Sequence, residues 1–391
     1  MVSVLRAGYI SDVIGSAIAL ADIRIAQGCL REAMSTYERG LQLATEHSTP
    51  ELAVRGTADM HVGISELYRE HDELNAATQQ LLRSQDLGEV AGLPKNPYRW
   101  RVAMARIRQA QGDLDGALDL LQQAEPLYLS GFFPKVHPIA ALKTRVWIAQ
   151  GRLDEALDWA REQGLSVDDE LSYLHEFEHI TLARILLACY RNEHVDRSIF
   201  EAMRLLERLL KAAQEGGRAG SEIDILILQA LAYQAQGELQ AALLPLEQAL
   251  ALAEPEGYIR MFVDEGPSMR QLLLESAARG IMPDYTGKLL AAFEAQGQGS
   301  ALASPIPLSP ASQSLIEPEA QPAKTGLVEP LSQRELEILR LFQTELSGPE
   351  IARELVIALS TVRTHTKSIF SKLNVKNRRA AVKRAAELGL I

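Results

Sequence analysis

Along the first two thirds of the chain, apolar residues recur three and four positions apart, and one polar phrase interrupts them at intervals. It reads AQGCLREA at 26–33, AQGDLDGA at 110–117, AQGRLDEA at 149–156 and AQGELQAA at 235–242. A degenerate copy, EHDELNAA at 70–77, has Asp72 where the others have glycine. The pivotal positions 28, 72, 112, 151 and 237 are separated by 44, 40, 39 and 86 residues. The last gap holds two units of about 43, so a further copy is expected near RNEHVDRSIFEA at 191–202, where the pattern is poor. In each unit the glycine ends one helix, because it adopts a left-handed backbone at little cost. The leucine two positions later and the alanine five positions later open the buried face of the next helix. In GDLDGALDLLQQAEPL, Leu114, Ala117, Leu121 and Ala124 keep that face. Pro245 falls inside the last such helix and predicts a kink or an early start there.

Stacked helix pairs of this kind build a superhelix with a concave groove. The phrase resembles the tetratricopeptide repeat, with leucine in place of the first aromatic and a period longer than the usual ~34, which implies longer helices. Residues 1–257 are assigned to this array and 258–295 to a helical segment that closes it. From 296 to 327 the chain is rich in Pro, Ser and Gly and has no aromatic residue, so it reads as a tether with no packed core.

Helical patterning resumes at 328–391. Ser332 and Glu335 have capping-box spacing ahead of Leu336, Leu339 and Phe342. Ser347 and Glu350 repeat the device, with Pro349 in the first turn where its missing N–H does no harm. Next comes STVRTHTKSIFSKLNVKNR, 360–378. On a helix it places Val362, Ile369 and Leu373 on one side with Phe370 beside them. Ser360, Arg363, Thr364, Lys367 and Ser371 share the other side. A fourth pattern, NRRAAVKRAAELGLI, ends the chain.

Charge sharpens the picture. The whole chain carries a formal net charge of -11, yet residues 326–391 hold 11 Lys and Arg against 7 Asp and Glu. A short helix, a tight turn and a second helix presenting Arg, Lys and Thr suit the DNA major groove. Cations there meet phosphates or guanine edges, and Thr meets a phosphate or a thymine methyl. The motifs LSQRE, EIA, TVRTH and KLNVKNR, in that order, resemble the LuxR-type helix–turn–helix domain over about 60 residues. The resemblance implies base reading by Arg363, Thr364 and Lys367. It implies backbone contacts by Ser347, Ser360, Thr361, His365 and Lys372. Two departures concern stability: Glu345 replaces a helix-ending glycine, and Ala358 replaces a capping serine worth ~1 kcal/mol. Further segments, 177–188 and 250–273, resemble the large ATP-binding LuxR-type regulators. The phosphate-cradling pattern G-x-x-x-x-G-K-[S/T] does not occur, so an ATP switch is not carried over.

Together these readings predict an all-α protein, a tetratricopeptide-like superhelix followed by a small four-helix helix–turn–helix domain. The expected function is transcription regulation, activation in particular. Double-stranded DNA is the expected partner, met as a homodimer, with an inducer or protein in the repeat groove. No cofactor, metal or catalytic residue is expected. One rival is a repeat scaffold whose basic end binds an acidic protein. A more remote rival is a zinc peptidase built on the H-E-x-x-H of His175, Glu176 and His179, with a third ligand from Glu193, Glu201 or Glu207. Two cysteines, Cys29 and Cys189, make no disulfide framework and fit a reducing cytoplasm. The apolar run Val13–Ala21 is too short for a membrane span, and Asp12 and Asp22 bracket it, against a secretion signal.

Overall fold

The computed structural model describes residues 10–47, 53–88, 91–128, 136–194 and 196–299, and at the C-terminal end residues 339, 341, 342, 366, 369, 372, 375 and 378–387. The regular structure of the described residues is helical throughout, and the chain divides into two compact units, Met1–Ser304 and Pro305–Ile391.

Six helical hairpins make up most of the first unit. They pair α1 (Ile10–Ala26) with α2 (Leu30–His47), α3 (Thr57–Glu70) with α4 (Leu74–Asp86), and α5 (Asn96–Ala110) with α6 (Leu114–Ala124). The next three pair α7 (Ile139–Ala149) with α8 (Leu153–Glu162), α9 (Glu176–Glu193) with α10 (Asp196–Glu215), and α11 (Ala219–Ala235) with α12 (Leu239–Ala253). This is the tetratricopeptide-like helical repeat that the phrase predicts.

The turn inside each hairpin follows from one residue. Gly28, Asp72, Gly112, Gly151 and Gly237 all have φ between 62° and 83°. At each, two N–H groups reach back to the orphan carbonyls of the helix end. Gly112 N donates to Gln109 O at 3.0 Å and Asp113 N to Arg108 O at 2.9 Å, for example. The fifth hairpin reaches a left-handed helix end by different chemistry. His194 takes φ 53° and its N–H donates to Tyr190 O at 2.8 Å. It lies 43 residues after Gly151 and 43 before Gly237, as the missing copy requires. The phrase is hard to see there because Asp196 and Ile199 occupy the leucine and alanine positions.

Alanine at the fifth position after the turn has a packing reason. Ala33, Ala77, Ala117, Ala156 and Ala242 are all 0% exposed, where the second helix comes closest to its neighbours. α12 runs unbroken through Pro245 from Leu239 to Ala253, so the expected early start is not observed. Pro245 is buried in the interface instead.

After the sixth hairpin come α13 (Arg260–Val263), α14 (Pro267–Ala278) and α15 (Pro283–Gly299). α15 extends four residues into the stretch assigned to the tether, and Gln296 Nε2 donates to Ala110 O at 3.4 Å from that last turn. These helices return the chain to its beginning. Ile259 N donates to Glu70 O at 3.0 Å, and Met261 N to Glu70 Oε1 at 2.9 Å. Arg31 N donates to Glu256 Oε2 at 2.9 Å. The first helix of the sixth hairpin packs on the first hairpin, so tightly that a Cβ at Gly28 would lie 2.9 Å from Ala219 Cβ. One continuous apolar core, from Ile14 to Leu289, joins the ends.

In the second unit Leu339, Phe342 and Ile369 are buried as their spacing predicts, together with Ala381 and Ala385 of α16 (Arg378–Glu387).

Candidate functional site

Of the residues assigned to DNA, Ser347, Ser360, Thr361, Arg363, Thr364, His365 and Lys367 lie outside the described residues. Lys372 is helical and half-buried. The described part of the module is its frame. Arg378, the last residue of KLNVKNR, donates from Nε to Phe342 O at 3.1 Å and from Nη2 to Leu341 O at 2.9 Å. Its guanidinium lies 5.1 Å from the Phe342 ring centroid. One cation therefore satisfies two carbonyls and covers an aromatic face, tying the start of α16 to the segment that carries Leu339. The last arginine of the motif is here a positioning residue.

The H-E-x-x-H reading is overturned by what its members already do. Glu176 is held by the guanidinium of Arg218, at 2.9 Å from Nε and 2.5 Å from Nη2, and by the Ser221 hydroxyl at 2.5 Å. His179 is 2% exposed, with Nδ1 on His175 O at 2.9 Å and Nε2 on Asp169 Oδ2 at 3.1 Å. His175 Nδ1 turns to Glu178 Oε2 at 2.6 Å. A metal on His179 would have to displace Asp169 or the His175 carbonyl, and Glu176 would have to leave Arg218 and Ser221 to act as a base, so the motif fastens α9 to α11 and to the loop before it.

Sequence reasoning missed the charged inner face of the repeats. The first helices of the hairpins carry ionisable or hydroxyl side chains at a shared register, six and thirteen residues before the turn. These are Asp22, Asp59, Glu66, Arg99, Arg106, Arg145, Thr181 and Asp224. The structure brings them together across repeats. Arg99 meets Asp22 at 3.4 Å, Arg106 meets Glu66 at 3.4 Å, and Arg145 meets Thr181 Oγ1 at 3.1 Å. Arg184 bridges Asp224 at 2.5 Å and Glu265 at 2.6 Å. The desolvation cost of Asp224 is outweighed by Arg184 and Arg145, which hold its carboxyl below the usual range. The signal was a spacing of seven within otherwise apolar helices, visible only once the turn residues set a common origin.

A second charged group closes the array. Arg260, with a 2% exposed side chain, donates to Asp72 Oδ1 at 3.0 Å, to Ala110 O at 3.2 Å, and to Asp264. Asp264 also takes Arg69, which in turn reaches Glu70 Oε2 at 2.9 Å. Asp264 and Glu265 thus sit in the turn between α13 and α14, as FVDEGPS suggests, and serve as anchors.

Residues 2–279 match the family described as the MalT-like TPR region, and residues 329–385 match the bacterial regulatory proteins of the luxR family. Over 382 residues the chain is 26% identical to the HTH-type transcriptional regulator MalT of Klebsiella pneumoniae (strain 342). That alignment covers 95% of this chain and 40% of the relative, so the chain spans about two fifths of that protein's length. A solved structure of nearly identical TPR-like repeats from Podosopora anserina, described as kinesin light chain, is 18% identical, with a TM-score of 0.29. It covers 63% of this chain and 96% of its own.

Proposed function

The chain belongs to the MalT-like TPR family, and from that premise, with the luxR-family match at its C-terminal end, we propose that it is a DNA-binding transcription regulator. The single observation that carries the reading is the coincidence of both matches, in this order, on one chain. The basic helix docks in the major groove, with Arg363, Thr364 and Lys367 reading bases. Ser347, Ser360, Thr361, His365 and Lys372 hold the backbone. A homodimer sets two such helices on two half-sites, because one small module makes few contacts. The repeat array senses an inducer or a protein partner and biases that equilibrium, with activation as the output. A reducing cytoplasm is the compartment in which such a protein meets DNA.

The test is binding of the whole chain to DNA from its own upstream region across a salt series, beside the double variant Arg363→Ala plus Lys367→Ala. The expected result is affinity that falls steeply with salt in both proteins, and loss of sequence preference in the variant. Equal preference in both would remove the assigned reading face. Absence of DNA binding in the whole chain and in residues 326–391 alone would favour the scaffold reading.

A further inference from the structure

Where the inner face passes from α5 through α7 to α9, cationic N–H groups outnumber the acceptors within reach. A guanidinium has five donors and no acceptor. Arg106, on α5, has one carboxylate contact, Glu66 Oε1 at 3.4 Å, and its side chain is 37% exposed. Arg145, on α7, gives Nε to Thr181, but its Nη1 and Nη2 reach Asp224 Oδ2 only at 3.5 Å. The cause is competition, since the other oxygen of Asp224 is drawn to Arg184 at 2.5 Å. Two guanidinium groups are thus left with long, shared partners in a place that water reaches.

A third group faces the same space. The Phe177 ring of α9 carries the Arg145 guanidinium 3.9 Å over its centroid, and His137 packs against it with a centroid separation of 4.6 Å. His137 is an exposed residue whose ring is nevertheless crowded by Phe177 and the neighbouring arginines, and it has no hydrogen-bond partner among the described residues. Charged neighbours come from three elements: Arg106 on α5, Arg145 on α7 and Asp224 on α11. The surrounding protein, then Arg106 and Arg145, push His137 down to about 4. Burial, with Arg184 and Arg106 as the repelling neighbours, pushes Arg145 down to about 10. Both shifts run toward the uncharged form, chiefly because burial disfavours charge, with Arg–Arg and Arg–His repulsion adding to it and Asp224 only partly opposing it.

We propose that Arg145 and His137, both packed on Phe177, together with the neighbouring Arg106 form a binding site for a small oxyanion, a carboxylate or a phosphate. The planar Arg forks meet two oxygens, and the His137 ring N–H donates to a third. Phe177 holds Arg145 in place and supplies an apolar floor for the carbon skeleton of a carboxylate. This assignment names the ligand class of the sensing role proposed above and rests on that role only for its consequence, not for binding itself.

The experiment titrates the full chain with inorganic phosphate and, separately, with succinate, at fixed ionic strength and pH 7. Calorimetry reads affinity, and the ring resonances of His137 read its protonation. Saturable binding is expected, with the His137 titration moving up toward the ordinary histidine range in the loaded protein. Arg106→Gln should weaken binding at least tenfold while its spectrum stays that of a folded chain. Arg152→Gln, on an exposed ion pair with Glu155, should leave binding unchanged. Saturation by phosphate alone or by succinate alone assigns the ligand to one source. No saturation by either anion overturns the site, as does equal affinity in R106Q. Adding the saturating anion to the DNA-binding assay separates the two proposals. DNA binding without anion binding sinks only this one, and anion binding without DNA binding sinks only the regulator.

Discussion

Asp72 shows how one side chain can depart from a repeat and strengthen it. The turn demands φ near 62°, where aspartate costs about 1–2 kcal/mol more than glycine. Its carboxylate recovers that cost by meeting Arg260, whose side chain is 2% exposed and needs every acceptor it has. Asp72→Gly restores the repeat phrase, yet it strands one donor of a buried cation. A buried partner removed typically costs about 3–5 kcal/mol, and the relieved strain offsets only part of it. Net destabilisation of about 1–4 kcal/mol is expected from urea midpoints at pH 7. A stabilised variant would show that the Asp264 contact alone suffices for Arg260.

Between elements, the limiting quantity is how closely two helices approach. Tyr37 of α2 is 0% exposed and abuts Gly63 of α3 with its phenol tip, where an added Cβ would sit 2.2 Å from the ring. Alanine is the better helix former by about 1 kcal/mol, so an isolated α3 would gain from Gly63→Ala. In the protein the ring must move, and overpacking of this kind costs about 1–3 kcal/mol. Gly63→Ala is therefore expected to lower the midpoint of thermal unfolding. In a Tyr37→Leu background the same change should be neutral or favourable, and a double-mutant cycle measures the difference. Equal effects in both backgrounds would place the constraint elsewhere.

At the scale of the first unit, the six hairpins are held in one closed set by the returning segment. Its anchors are few and charged: Arg260 to Asp72, Ala110 and Asp264, and Asp264 to Arg69. Tyr285 adds a hydroxyl bond to the Tyr258 carbonyl. Arg260→Leu removes the hub, takes its cation from Asp72 and leaves Asp264 with Arg69 alone of the two. Amide exchange should then quicken across 258–299, while α11 and α12 keep their protection, because their core of Ile223, Leu226, Leu246 and Leu250 does not use the anchor. Uniform loss of protection would mean that the first unit opens as one cooperative body.

What the sequence determined by itself was whatever depends on local rules. Glycine at a left-handed turn, leucine two positions on and alanine five positions on are constraints of one hairpin, so they recur and can be read. The LuxR-type motifs are legible for the same reason, being a compact run of capping, core and contact positions. Leu339, Phe342 and Ile369 are buried as their spacing requires. Tertiary structure decided whatever depends on distance along the chain. His194 makes a turn with no phrase to announce it. Glu176 and His179 are spent on Arg218, Asp169 and the backbone rather than a metal. Asp72 owes its place to Arg260, 188 residues away. The proposed oxyanion cluster draws on α5, α7, α9 and the residue two before α7. Arg106 and Arg145 are ordinary polar positions until the packed repeats bring their shared register together with His137 and Phe177, because charge complementarity is a property of positions in space.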